Sequence, residues 1–165
     1  MKVLVDTTIW SLALRRQRPK PQDRVLIEEL SELVKEMRAV MIGPVRQEVL
    51  SGIPDPEKFD EVREHMEPFD DLQIEREDYE EAARFYNVCR QKGVQGSHVD
   101  FLICAVAFRH SAAIFTTDKD FNNYANHLPI RIHDPRTDAS RAHPRRRDAP
   151  RGVSQAHVPH ATRPC

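Results

Sequence analysis

Apolar residues recur along this chain in two rhythms. Short unbroken runs have the length and β-branched content of buried strands: KVLV at 2–5, AVMIG at 39–43 and AAIFTT at 112–117. DLQIE alternates over a few residues and predicts a further short strand, and IRI at 130–132 a last one. Between these runs the spacing is helical. TTIWSLALRR puts Ile9, Leu12 and Ala13 on one face, and DRVLIEELSELVKEM does the same for Leu26, Leu30, Leu33, Val34 and Met37, with acids opposite. Pro44 suits the first turn of a helix over PVRQEVLSG, and Gly52 suits its end. PEKFDEVREHM carries Phe59, Val62 and Met66 at helical spacing. DYEEAARFYNVCRQKG puts Tyr79, Ala82, Ala83, Tyr86 and Cys89 on one side and stops at Gly93. SHVDFLICAVAFRH is apolar almost all round after its first turn, as a core helix is, and DFNNYANHL predicts a short helix. Strands alternating with helices predict an α/β layered fold around a mainly parallel sheet, in which ligands sit beyond the carboxyl ends of the strands. No internal repeat is present.

Charge divides the chain. Of 165 residues, those from Pro135 on include seven Arg, no Lys and two acids, a net charge of +5. The first 134 then hold 18 basic and 24 acidic residues, a net charge of −6. The tail also has five Pro and almost no large apolar side chains, so residues 135–165 are expected to be a disordered basic tail and 1–134 the folded domain. Three widely spaced cysteines, Cys89, Cys104 and Cys165, form no metal-binding or disulfide pattern, which points to a reducing cytosol. MKVLVD reaches an acid too soon for a signal peptide, and no apolar run approaches the ~20 residues that span a bilayer. The expected location is the cytoplasm.

Acids follow the strands. Asp6 comes directly after KVLV, and Asp118 and Asp120 are the first and third residues after AAIFTT. Glu48 lies one turn into the helix after AVMIG, and Asp100 lies in the first turn of the core helix. If the strands are parallel, Asp6, Glu48, Asp118 and Asp120 meet at one sheet edge, and Asp100 reaches it if its helix starts there. Each acid also has an ordinary use. Asp6, Asp118 or Asp120 could cap a helix, Asp100 could close a capping box with Ser97, and Glu48 could be a surface residue. Together they repel, and a cation resolves that conflict. Oxygen ligands without His or Cys suit Mg2+ or Mn2+, one ion or two. Such a cation can activate water, orient a phosphodiester and stabilise the leaving oxygen. Arg15, Arg16, Arg18 and Arg46 would help a polyanion approach the cluster, but each taken singly is expected to be solvated helix surface. Trp10 is expected in the core or at a dimer surface, and His98 on the surface of its helix.

The segments VLVDTTIW, PVRQEVLSG, HVDFLICAVA and IFTTDKDF come in the order and rough spacing found in PIN-domain ribonucleases. The chain most resembles the small VapC-type toxins of toxin–antitoxin pairs, over about 1–134. The resemblance implies an α/β/α sandwich and a Mg2+- or Mn2+-dependent endoribonuclease. It assigns the acids to Asp6, Glu48, Asp100 and Asp118, with Asp120 accessory. Thr8 falls where the family often has a hydroxyl near the metal, and Thr116 or Thr117 would support it. It also implies a homodimer and a cognate antitoxin that covers the site. The basic tail is outside the family pattern. Two other classes compete. A haloacid-dehalogenase-type phosphatase wants a second Asp where this chain has Thr8, and a lysine motif the chain lacks. A non-catalytic binding module would use the acids only as caps and surface charge.

Overall fold

The computed structural model describes residues 1–15 and 19–136. Met1–Pro135 make one compact unit. The tail expected to be disordered, from 137 on, lies outside the described residues, as do Arg16 and Arg18.

Among the described residues four strands form the sheet: β1 (Val3–Val5), β2 (Ala39–Ile42), β3 (Asp71–Leu72) and β4 (Ala113–Phe115). Their order is β3-β2-β1-β4 and every pairing is parallel, with Leu4 in register with Val40 on one side and Ile114 on the other. β1 and β4 are buried along their whole length, which is why they read as unbroken apolar runs rather than alternating ones. The expected last strand reduces to one parallel bridge, Ile132 to Ile114, closed by Ile114 N to Arg131 O and His133 N to Ile114 O at 2.8 Å each.

Seven helices accompany the strands among the described residues: α1 (Thr7–Leu14), α2 (Pro21–Lys35), α3 (Gly43–Leu50), α4 (Pro56–Met66), α5 (Arg76–Gln91), α6 (His98–Arg109) and α7 (Asp120–Ala125). α1 packs on α2 and α3, and α3 on α4, while α5 packs on α6 and α6 on β1 and β4. The result is the three-layer α/β/α sandwich. No helix among the described residues is long and apolar enough to cross a membrane.

Local signals start and stop these helices. Asp55 accepts the Glu57 N–H at 3.1 Å ahead of Pro56 and so starts α4. Gly93, at φ 76°, ends α5 in the left-handed region that disfavours a side chain. α6 buries every residue from Phe101 to Ala107, as its composition predicts.

Two expected helix faces are different. In α5 the buried stripe is Asp78, Ala82, Phe85 and Cys89, while Tyr79 and Ala83 face out. Asp78 can be buried because Arg109 of α6 reaches it, Nε to Oδ1 at 2.7 Å. In α2 the pattern holds through Val34, but Met37 lies past the helix end at φ 53° and is 79% exposed.

The chain lays β1, β2 and β3 outward, then crosses back to set β4 on the other side of β1. The strand order therefore reverses between β1 and β4, and the crevice beyond their carboxyl ends is where such a sheet offers a binding site.

Candidate functional site

Asp6 ends β1 at that crevice, its backbone N–H donating to Phe115 O of β4 at 2.9 Å. It occupies the N-cap position of α1, yet its side chain makes no capping bond. Asp6 Oδ2 instead accepts the hydroxyls of Thr8 at 2.9 Å and Thr116 at 2.8 Å. Each hydroxyl in turn accepts a backbone N–H, Thr8 from Thr117 at 3.1 Å and Thr116 from Asp118 at 2.9 Å. A hydroxyl has one proton, so both protons are committed to Asp6, and the 3.3 Å approach of Thr8 to Thr116 is a contact rather than a bond. Of the two expected supporting threonines, Thr116 acts through its side chain and Thr117 through its backbone.

The other acids are held in the same manner. Glu48, on the exposed side of α3, accepts the Thr7 hydroxyl on Oε2 at 2.9 Å. Asp100 closes the capping box with Ser97: Oδ2 accepts Ser97 N–H at 2.9 Å and Asp100 N–H donates to Ser97 Oγ at 3.1 Å. Asp100 Oδ2 also accepts the Tyr124 hydroxyl at 3.2 Å. Asp118 Oδ1 accepts the Asp120 N–H at 2.9 Å, an Asx turn that leads into α7. Asp120 is the exposed first residue of α7 and makes no capping bond.

Asp6, Glu48, Asp100 and Asp118 line one cleft of about 330 Å³, together with Thr7, Thr8, Ser11, Leu12 and Phe121. Asp120 does not line it. Each of the four acids commits one carboxylate oxygen to its own chain. Among the described residues, Asp6 Oδ1, Glu48 Oε1, Asp100 Oδ1 and Asp118 Oδ2 have no hydrogen-bond partner. The acids share a cleft but are not drawn into a cage: no three of the described His, Cys, Asp or Glu side chains are close enough together to hold an ion as they stand. Among the described residues the donors lining the cleft are carboxylates and hydroxyls with no thiol, imidazole or amine, which fits Mg2+ or Mn2+ and does not fit zinc.

The field of this cluster reaches its neighbours. Burial pushes the Cys104 thiol well up, and the Asp100, Cys89 and Asp6 charges push it further. Tyr124 is also pushed up, first by burial, then by the charge and hydrogen bond of Asp100, then by Asp120 and Asp118. It is a phenol, and so a donor, throughout the neutral range.

The expected cations differ in role. Arg46 is spent on structure. It bonds Asp71 at 3.0 and 3.1 Å through Nε, Met66 O at 3.0 Å and Phe69 O, tying α3 to β3 and the end of α4. Arg15 is exposed at the end of α1 and donates to Gly52 O at 3.3 Å. Trp10 is core, 2% exposed, edge-on to Phe69 at 4.9 Å. His98 is exposed, stacks on Tyr86 at 5.3 Å and stays out of the acidic cleft.

Thr7, Ser11 and Tyr124 were not singled out by the sequence. Thr7 and Ser11 are one turn apart on α1, so the helical spacing that follows Asp6 could have located them. Tyr124 gives no such signal, because its partner is on another element.

The family model described as PIN domain matches residues 3–127. Ribonuclease VapC11 of Mycobacterium tuberculosis is 28% identical over 124 residues, which cover 73% of this chain and 89% of that protein. Two solved structures share the fold. FitAcB from Neisseria gonorrhoeae has a TM-score of 0.66 at 20% identity, covering 81% of this chain and 97% of that one. A toxin-antitoxin complex from Klebsiella pneumoniae has a TM-score of 0.53 at 16% identity, covering 73% and 90%.

Proposed function

The chain belongs to the PIN domain family, and from that premise we propose that it is a metal-dependent endoribonuclease acting as the toxin of a toxin–antitoxin pair. The observation that carries this reading is the division of labour at the cleft. Four acids each anchor one oxygen and leave the other without a partner among the described residues, and no described Lys or Arg lines the space between them. The relative named as a ribonuclease supports the reaction class, and the neighbour named as a toxin-antitoxin complex supports an antitoxin partner.

Asp6, Glu48, Asp100 and Asp118 would hold one or two Mg2+ or Mn2+ ions, directly or through water. When bound there, the ion supplies Lewis acidity for hydrolysis of an RNA phosphodiester. The chain's own part is orientation. The hydroxyls of Thr8 and Thr116 fix Asp6, and the Asp118 turn starts at Thr116, so β1 and β4 present their acids as one unit. Exposed Glu48, held only by Thr7, is the acid free to swing inward on binding. Asp120 stands outside the cleft and would act at a distance, on the cluster's charge. Arg15, one turn beyond Ser11, would meet the RNA backbone at the cleft's end. A homodimer whose antitoxin covers the cleft fits the same reading. The phosphatase reading loses support, since Thr8 gives its proton to Asp6 and no second Asp stands there.

Induced expression tests this. Wild type should arrest growth and leave discrete RNA cleavage products, Asp6→Asn should do neither, and EDTA should stop cleavage by the purified protein. Intact RNA beside folded, soluble wild type sinks the assignment, and cleavage that survives EDTA sinks its metal dependence.

A further inference from the structure

Tyr124 is fully buried on α7, its ring between Phe101 at 5.0 Å and Phe121 at 5.4 Å. A buried phenol needs a hydrogen-bond partner, and the carbonyl of Gln95, 3.3 Å away, would suffice. The hydroxyl also lies 3.2 Å from Asp100 Oδ2. It has one proton, and the carboxylate is the nearer and the charged acceptor. The capping box alone would start α6, so the second donor is an addition that the helix does not require.

The seat for this hydroxyl is Gly96. A Cβ placed there would fall inside contact distance of the Tyr124 hydroxyl, 2.8 Å from its Cζ and 3.0 Å from Phe101 Cε2. Gly96 has no left-handed backbone to explain it, so the space is what the glycine provides. The helix that carries Tyr124 also begins in the Asp118 turn. The phenol therefore ties the start of α6, with Asp100, to the helix that follows Asp118.

We propose that Tyr124 is a positioning residue: its hydroxyl, seated against Gly96, fixes Asp100 Oδ2 so that Oδ1 is the oxygen given to a cation in the cleft. This rests on reading the cleft as a metal site. A Tyr124 that only filled the core would be replaced by Phe without consequence at Asp100.

The test uses the full chain as wild type, Tyr124→Phe and Gly96→Ala. Phe removes the hydroxyl, and Ala keeps it but takes its seat. Without metal, exchange of the Ser97 amide reports the Asp100 Oδ2 bond. With metal, Mn2+ titration followed by electron paramagnetic resonance reports affinity. Both variants should speed Ser97 exchange several-fold while mid-α6 amides such as Val106 keep wild-type rates, and should weaken Mn2+ by about tenfold, as loss of an outer-shell partner does. If one variant does not fold, the other decides. Wild-type Ser97 exchange and Mn2+ affinity in the folded variants overturn the proposal. If wild type takes up no Mn2+, the metal reading of the cleft fails, and Ser97 exchange still decides whether Tyr124 holds Asp100.

Discussion

Three of the buried acids among the described residues make a comparison. Asp78 and Glu29 are fully buried, and each faces a base: Asp78 meets Arg109 at 2.7 Å, and Glu29 meets His133 at 2.8 Å. Asp6 is almost as buried, 6% exposed, but its partners are two hydroxyls, and it makes no ion pair among the described residues. Removing a carboxylate from water costs several kcal/mol unless charge or hydrogen bonds compensate. At Asp78 the compensation comes from within the fold. At Asp6 only half of the carboxylate is served, and the rest of the cleft adds three more acids. An acid whose counter-charge is built in is architecture. A buried acid with no ion pair among the described residues, at the crevice where strand order reverses, leaves a charge that the proposed cation would compensate.

That contrast breaks most readily at Asp6. Asp6→Asn keeps an acceptor oxygen for Thr8 and Thr116, so the fold should lose less than about 1 kcal/mol. RNA cleavage should fall to background, at least ~10³-fold. Arg109→Leu should do the reverse. It strands Asp78 without its cation, costing about 3 kcal/mol or roughly 10 °C in melting temperature, while the folded fraction cleaves at the wild-type rate. Thermal melts beside a cleavage assay read both. Equal destabilisation by the two substitutions erases the distinction.

Divalent ions sharpen it. Mn2+ at 100 times its dissociation constant should stabilise wild type by about 2.7 kcal/mol. The gain should disappear in Asp6→Asn and persist in Arg109→Leu. A gain that survives Asp6→Asn locates the ion elsewhere.

How much of this could be read from the sequence follows from the range of each interaction. Asp6, Glu48, Asp100 and Asp118 are legible because strand ends and first helical turns are local, and a parallel sheet gathers them at one edge. The rotated face of α5 is not, because burial of Asp78 depends on Arg109, 31 residues along the chain. Nor is the role of Arg46, which sits two residues before Glu48 but is bound by Asp71 and the end of α4. Met37 continues a helical pattern on paper, while the helix has already ended in the turn that leads to β2. Tyr124 and Gly96 form one contact from two elements, and neither carries a mark of it. Asp100 suits both a capping box and a cleft in its sequence position, and in the structure it closes the box through Oδ2 and also lines the cleft.

The smallest expected effect compares Arg15 with Arg46. Arg46 is bonded on every side, so it has little left to offer RNA. Arg15 directly follows α1, four residues beyond Ser11, and donates to the carbonyl of Gly52, which lies past the end of α3, four residues beyond Glu48, so it joins the ends of the two helices that carry Ser11 and Glu48. Arg15→Gln should leave melting within about 0.5 kcal/mol of wild type, since only one exposed hydrogen bond is lost. It should weaken RNA binding a few-fold and lower the salt slope by about 0.7, the share of one phosphate contact on a single strand. Binding measured with Asp6→Asn as the background, at two salt concentrations, separates this from any effect on cleavage. An unchanged slope would mean that the RNA backbone leaves the cleft by another path, with Arg15 serving only to join α1 to the turn after α3.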